Sequence, residues 1–133
     1  MSREQAARLY SELSRKTQEG EIEWERFEDG KITGFSGDSI IDAFITTHNG
    51  RRLGLLRMGV KAYDGERDVE YWEEEMRLVF LNEFEHVRFE FPSAHGISDL
   101  FQSVTYVTSD VADFVADVLG EKKPASKGKN KPK

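Results

Sequence analysis

The 133-residue chain carries 25 acidic against 19 basic residues, a net charge of −6, and contains no cysteine. The lack of Cys excludes a disulfide framework, Cys-ligated zinc, iron–sulfur clusters and thiol catalysis together. No run of about eighteen apolar residues occurs and MSREQAARLYSELSRK has no apolar signal core, so neither a membrane span nor export is expected, and a cytoplasmic location fits.

The charge is unevenly placed. Residues 1–120 hold 24 acidic against 13 basic side chains, a net −11, whereas EKKPASKGKNKPK at 121–133 sets six Lys against Glu121. The expectation is one acidic domain over 1–120 and a disordered Lys-rich tail over 121–133. An acidic body repels phosphates and anionic lipid and favours basic protein surfaces. The tail has neither Arg nor aromatic residues, so specific nucleic-acid recognition is not expected of it.

In chain order, Ser2 with Gln5 has the form of a capping box. Ala6, Leu9, Tyr10 and Leu13 then recur at helical spacing, predicting a first helix that ends near Lys16. Charged and apolar residues alternate over 21–27, the pattern of a half-buried strand. Asp29-Gly30 reads as a tight turn, with 31–35 returning as a short second strand and 34–39 as a loop. The β-branched run 40–47 leads into His48-Asn49-Gly50, the strongest hairpin signal here, because Asn and Gly tolerate positive φ. Its partner spans 52–63, with Gly54 and Gly59 as candidate bulge or bend positions.

Asp64-Gly65 is the next turn, and 69–81 and 84–91 form a further antiparallel pair joined near Asn82-Glu83. In that pair Val87, Phe89 and Phe91 are expected to face the core and His86, Arg88 and Glu90 to face water. Past Pro92 the period changes, and Ile97, Leu100, Phe101 and Val104 are spaced for a helix. Ser109 or Asp110 caps a last helix in which Val111, Phe114, Val115, Val118 and Leu119 form one apolar stripe, ended by Gly120. The resulting fold class is α+β: an antiparallel meander of five to six strands, with an N-terminal helix and two C-terminal helices packed on one face.

Few residues suggest chemistry. His48 lies in a turn and His86 on the wet side of a strand, while His95 stands four residues before Asp99, close enough to orient an imidazole. No H-x-H or H-E-x-x-H spacing, P-loop, G-x-G-x-x-G or G-x-S-x-G occurs, so no metal, nucleotide or other cofactor is expected and no catalytic residue is assigned. In Glu73-Glu74-Glu75 only Glu73 and Glu75 share a strand face, the arrangement of a solvated edge. Asp110, Asp113 and Asp117 recur at three- and four-residue steps beside the apolar stripe. Asp is a mediocre helix former, so such a row away from the first turn suggests a use.

Thr17-Gln18-Glu19-Gly20-Glu21-Ile22-Glu23-Trp24, following the opening helix, resembles the T-x-x-G-x-[I/L]-x-W start of certain small prokaryotic and phage-encoded α+β domains. The likeness in element order covers about 120 residues, and it implies a fold and a mobile-element setting, with no activity or site attached.

These features point to a non-enzymatic protein that binds a partner with a basic surface through Asp110, Asp113, Asp117, Glu73 and Glu75. An inhibitor of a nucleic-acid-handling protein, of the phage anti-defence or toxin-immunity type, fits best, because an acidic domain can occupy a groove built for phosphates. One alternative is a small enzyme or ligand-binding protein whose site assembles from His86, His95, Asp99 and Glu75. Another is a structural or assembly subunit, a homo-oligomer joined through Trp24, Tyr71 and Trp72 on one exposed patch.

Overall fold

A computed structural model describes residues 1–28, 32–33 and 39–121. The first helix, α1 (Arg3–Gln18), opens on a complete capping box: Ser2 Oγ accepts from the Gln5 N–H at 3.1 Å, and the Gln5 side chain accepts from the Ser2 N–H at 3.3 Å. It runs two residues past the expected stop at Lys16, and Thr17 in the added turn accepts a 3.0 Å hydrogen bond from the buried Trp24 indole. After it come β1 (Glu25–Arg26), β2 (Ser39–His48), β3 (Arg51–Asp64), β4 (Val69–Leu81), β5 (Val87–Glu90), α2 (Ile97–Thr108) and α3 (Val111–Leu119). The strands form one antiparallel sheet in the order β1-β2-β3-β4-β5, so the fold is the expected α+β meander with five strands.

The turns form where local chemistry demands them. Asn49 and Gly50 take φ of 53° and 76° and close the β2–β3 hairpin between His48 and Arg51. Asn82 Oδ1 accepts from the N–H groups of Phe84 and His86 at 2.8 and 3.0 Å, which builds the β4–β5 turn.

One face of the sheet carries the main core. Phe44, Leu55 and Leu78 from β2, β3 and β4 pack against Ala6, Tyr10 and Leu13 of α1 and Leu100, Phe101 and Val104 of α2. Each such buried Leu or Phe contributes about 1.5–3 kcal/mol. Ile22 and Trp24 are buried in the same cluster and Glu21, Glu23 and Glu25 are exposed, so the alternation over 21–27 sets the burial as expected. Only Glu25 and Arg26 pair with β2, however.

The opposite face holds a second cluster: Ala43, Ile45, Leu56, Met58, Val79 and Leu81, roofed by Phe27, Ile32, Ile40 and Val87. Ile32-Thr33 does not return beside β1. Thr33 instead bridges His86 in parallel, because Ile32 is drawn across this second apolar face. The Asp29-Gly30 turn, the loop residues 34–38 and tail residues 122–133 lie outside the described residues.

Three further expectations are corrected. β3 pairs with β4 without a register break, so neither Gly54 nor Gly59 is a bulge; the irregularities place an extra residue in β2 between Ile40 and Asp42 and in β5 between Val87 and Phe89, opposite Phe80/Leu81. Gly54 serves close packing, since a Cβ there would stand 3.1 Å from Val79 Cγ2 and 3.2 Å from Leu81 Cδ1. Of Val87, Phe89 and Phe91, Phe89 is 47% exposed. The slip at Phe80/Leu81 inverts the face of β5 partway along, sending Val87 to the second cluster and Phe91 to the first.

Tyr10 is the polar tie between helix layer and sheet. Fully buried, it donates from its hydroxyl to the Pro92 carbonyl at 2.6 Å, fixing the chain where it leaves β5 for α2. Burial pushes this hydroxyl from its ordinary 10.0 up to about 12, and the charge of Glu90 adds to the shift. The proton is held more tightly in the folded than in the unfolded chain, so the linked stabilisation is complete below pH 10.0 and is lost as pH rises toward about 12. Tyr10→Phe is expected to cost about 1 kcal/mol in urea unfolding at neutral pH. It should also flatten the fall of stability over that alkaline range; an unchanged slope would assign the fall to other groups.

Candidate interaction surfaces

The last helix departs from the pattern of the other two. α3 reads VADFVADVL, apolar at every position except Asp113 and Asp117. An ordinary surface helix buries one stripe of roughly 100°, but the apolar arc of α3 is far wider. Only Ala116 is buried, while Phe114 and Val118 are each 65% exposed and Leu119 is 62% exposed. The stripe expected to pack inward is therefore largely open to solvent, because α3 meets α2 through the small side of its circumference. Tyr106 and Val107 near the end of α2 are exposed as well.

Caps hold this helix in place. Ser109 Oγ accepts from the Val111 N–H at 3.2 Å, while Asp110, at the cap position itself, makes no side-chain capping bond. Gly120 ends the helix at φ 71°, a left-handed conformation that favours glycine. Asp110, Asp113 and Asp117 are all exposed, and from 97 to 121 the chain has five carboxylates and no Lys, Arg or His. Asp110 and Asp117 form no ion pair with a described residue. The surface is thus apolar with a one-sign acidic border.

A second exposed surface arises from unequal strand lengths. β2 follows β3 only as far as Gly59, and β5 follows β4 only over residues 79–81. Residues 60–64 and 69–73 therefore continue as a two-stranded ribbon, about 17 Å long at the usual strand rise. On the helix side of the sheet the ribbon shows Tyr63 and Trp72, 60% and 58% exposed, with Lys61 Nζ 5.6 Å from the Trp72 ring centre. On the other side lie Val69, Tyr71, Glu73 and Glu75. Glu73 and Glu75 do share a face, but Glu75 pairs with Arg77 at 2.8 Å and Glu73 accepts from the Tyr71 hydroxyl at 3.2 Å.

The root of the ribbon is braced by charge. Asp42 accepts from Arg26 at 2.6 Å and from Arg57 at 2.9 Å, and Arg57 also reaches Glu74 at 2.9 Å. These contacts tie β1, β2, β3 and β4 in one row beyond the edge of the helix layer. Burial alone would raise the Asp42 carboxyl, but the hydrogen bonds and charges of Arg57 and Arg26 outweigh it and hold the group below its usual value.

The histidines do not assemble a site. His95 and Asp99 line one depression of about 410 Å³ between α1 and α2, with Ala7, Ser11, Ser14 and Gln18. His86 instead sits at the β4–β5 turn with its Nδ1 3.0 Å from Thr33 Oγ1, and Glu75 is engaged with Arg77. Nothing brings His86, His95, Asp99 and Glu75 into one cavity, and among the described residues no three His, Asp or Glu side chains gather to hold a metal. The patch proposed from Trp24, Tyr71 and Trp72 does not exist either: Trp24 is 4% exposed in the core, and Tyr71 and Trp72 point to opposite faces of the ribbon. No described helix is long and apolar enough to cross a membrane.

No family model, curated protein or solved structure matches the chain.

Asp42→Asn should destabilise the protein by about 1–3 kcal/mol, since it removes the one anion shared by Arg26 and Arg57. The contribution of this carboxylate is present above its ordinary value of 3.8 and is lost as pH falls through the lower folded value. Acid titration followed by circular dichroism should therefore show a shallower loss of stability in Asp42→Asn than in the parent chain. Equal acid slopes would remove Asp42 from the account.

Proposed function

We propose that this protein is a non-enzymatic acidic binding protein that docks on another protein bearing a basic, partly apolar surface. The observation that carries the reading is α3: Val111, Phe114, Val118 and Leu119 face solvent beside Asp113 and Asp117, in a stretch without a single cation. Exposed apolar residues at the centre of a contact supply affinity, whereas carboxylates at its rim set encounter rate and partner choice. A second copy of the chain is a poor occupant, because pairing α3 with itself would bring two anionic borders together. A groove evolved for nucleic-acid phosphates offers both positive charge and apolar floor, so inhibition of a nucleic-acid-handling protein is the favoured role. The opening motif from Thr17 to Trp24 is in keeping with a mobile-element origin.

The test is affinity capture from host lysate at low and high salt, using the parent chain, Phe114→Ser and Asp117→Lys. One stoichiometric partner is expected, lost with Phe114→Ser at either salt. Asp117→Lys should weaken capture roughly tenfold at low salt and little at high salt, where the Debye length shrinks to a few ångströms. Both side chains are exposed, so melting temperatures should stay close to the parent value. Capture indifferent to both substitutions would remove α3 from the contact.

A further inference from the structure

Apart from α3, β4 presents an open strand edge. The Leu78 carbonyl accepts from the Phe91 N–H at 2.9 Å, so Leu78 turns its backbone polar groups to the β5 side. β4 pairs with β3 without a break over this length, and strand alternation then turns the N–H and C=O groups of Glu70, Trp72, Glu74 and Met76 to that same outer side. β5 pairs no further along β4 than Val79, and among the described residues no strand covers the outer side of 69–76. Rows of unpaired backbone groups are templates for an added strand.

The side chains decide which strand can be added. Residues 69–76 contain no Pro, no Lys and no bulge, only Glu70, Glu73, Glu74 and Glu75 as guards. These repel a second copy: two-fold antiparallel pairing about Trp72 sets Glu70 opposite Glu74, and pairing about Glu74 sets Glu73 opposite Glu75. They do not repel a basic strand. Glu70, Glu74 and Glu75 already contact Lys61, Arg57 and Arg77 at 3.3, 2.9 and 2.8 Å, so charge here selects the partner, and backbone bonds supply the affinity. Trp72 on one face and Tyr71 on the other offer apolar flanks to alternate residues of the incoming segment.

We propose that the outer edge of β4, residues 69–76, accepts an extended segment of a basic protein, with Lys or Arg alternating with apolar residues, as a sixth strand of the sheet. This surface shares no residue with the α3 face and stands or falls separately from it.

The test uses the full chain and a probe nonapeptide, Lys-Val-Lys-Val-Thr-Val-Lys-Val-Lys. Two controls accompany it: the same peptide N-methylated on alternate amides, and the version with Glu for Lys. Amide hydrogen exchange is read by NMR. In the free protein the amides of Glu70, Trp72, Glu74 and Met76 should exchange fast and those of Tyr71, Glu73 and Glu75 slowly. The Lys peptide should slow the first four by about tenfold or more. It should also shift the emission of exposed Trp72 to the blue, while Trp24, buried in the core, stays constant. Both control peptides should leave the four amides unprotected. Glu74→Pro, which removes an N–H that β3 does not use, should abolish the protection while the far-UV spectrum stays that of the parent. Glu73→Gln should weaken binding by only a few-fold.

Equal protection by the N-methylated peptide, or peptide binding that leaves the four amides fast, would overturn the added strand. So would the absence of any protection at roughly 1 mM Lys peptide. Protection confined to 111–119 would overturn it too, and would leave the α3 reading in place.

Discussion

The mismatch between strand length and helix length governs this molecule. β3 and β4 run 14 and 13 residues, close to 45 Å each at the usual rise of about 3.4 Å per residue. α1, with 16 residues at about 1.5 Å, spans only some 24 Å, and α2 is shorter. Two helices of that length can cover about half of such a hairpin. Phe44, Leu55 and Leu78 lie under them, and the strands beyond must find other cover or stand in water. The Arg26–Asp42–Arg57–Glu74 row marks where cover ends: it is polar, cross-linked over four strands, and only partly exposed. Past it the chain stays regular because β3 and β4 satisfy each other's backbone, and their other edges remain available.

The same shortage of cover explains the second core. A sheet with helices on one side leaves its far face to water unless another segment crosses it. Here Phe27, Ile32 and Ile40 roof Ile45, Leu56, Met58 and Val79 without a helix. Phe27 reaches that side by plain alternation, since Arg26 before it lies on the helix side above Phe44, 5.1 Å from the ring centre. Gly54 lets Val79 and Leu81 close over the space a side chain would fill. With both faces of the sheet engaged at its covered end, the larger part of the remaining apolar strand surface lies out on the ribbon, at Tyr63, Val69, Tyr71 and Trp72.

Features written in adjacent residues were legible in the sequence. Ser2 with Gln5, Asn49-Gly50, the alternation around Ile22 and Trp24, and Gly120 each act through bonds or dihedral limits within a few positions. Features that depend on what lies across space were not. The spacing of Val111, Phe114, Val118 and Leu119 shows which way a stripe points and is silent on whether anything meets it. The signal that could have revealed the exposure was the scarcity of polar residues in α3, where only Asp113 and Asp117 interrupt the apolar run. In β3, Leu55, Leu56 and Met58 break strict alternation, which is the mark of a strand buried on both sides. The slip at Phe80/Leu81 has no counterpart in the pattern of 84–91, so the turning of Val87 to the far face was not legible, and Phe89, on the same face as Phe91, is left uncovered at the sheet edge. The carboxylates of Asp110, Asp113 and Asp117 were legible as a row, but their apolar neighbours, and the open edge of β4, needed the tertiary structure.

The carboxylates divide by what surrounds them, and that division gives the net charge its meaning. Asp42 and Glu85 lie against the guanidinium groups of Arg57 and Arg52, with side chains 20% and 17% exposed, where an anion without its cation would be costly. Those acids are bound into the fold and add little field outside it. Asp110 and Asp117 have no such partner among the described residues and are exposed, on a helix whose macrodipole disfavours a carboxylate near its C-terminal end. A negative side chain at Asp117 therefore works slightly against the helix that carries it, and the nearby Phe114 and Val118 work against solubility. Two local costs on one face of one short helix have a common resolution, a cationic and apolar surface laid over both. The glutamates along β4 are by contrast mostly neutralised at short range, so on the proposed readings the ribbon edge would hold a strand chiefly through its backbone, whereas α3 would attract through its field and hold by apolar contact.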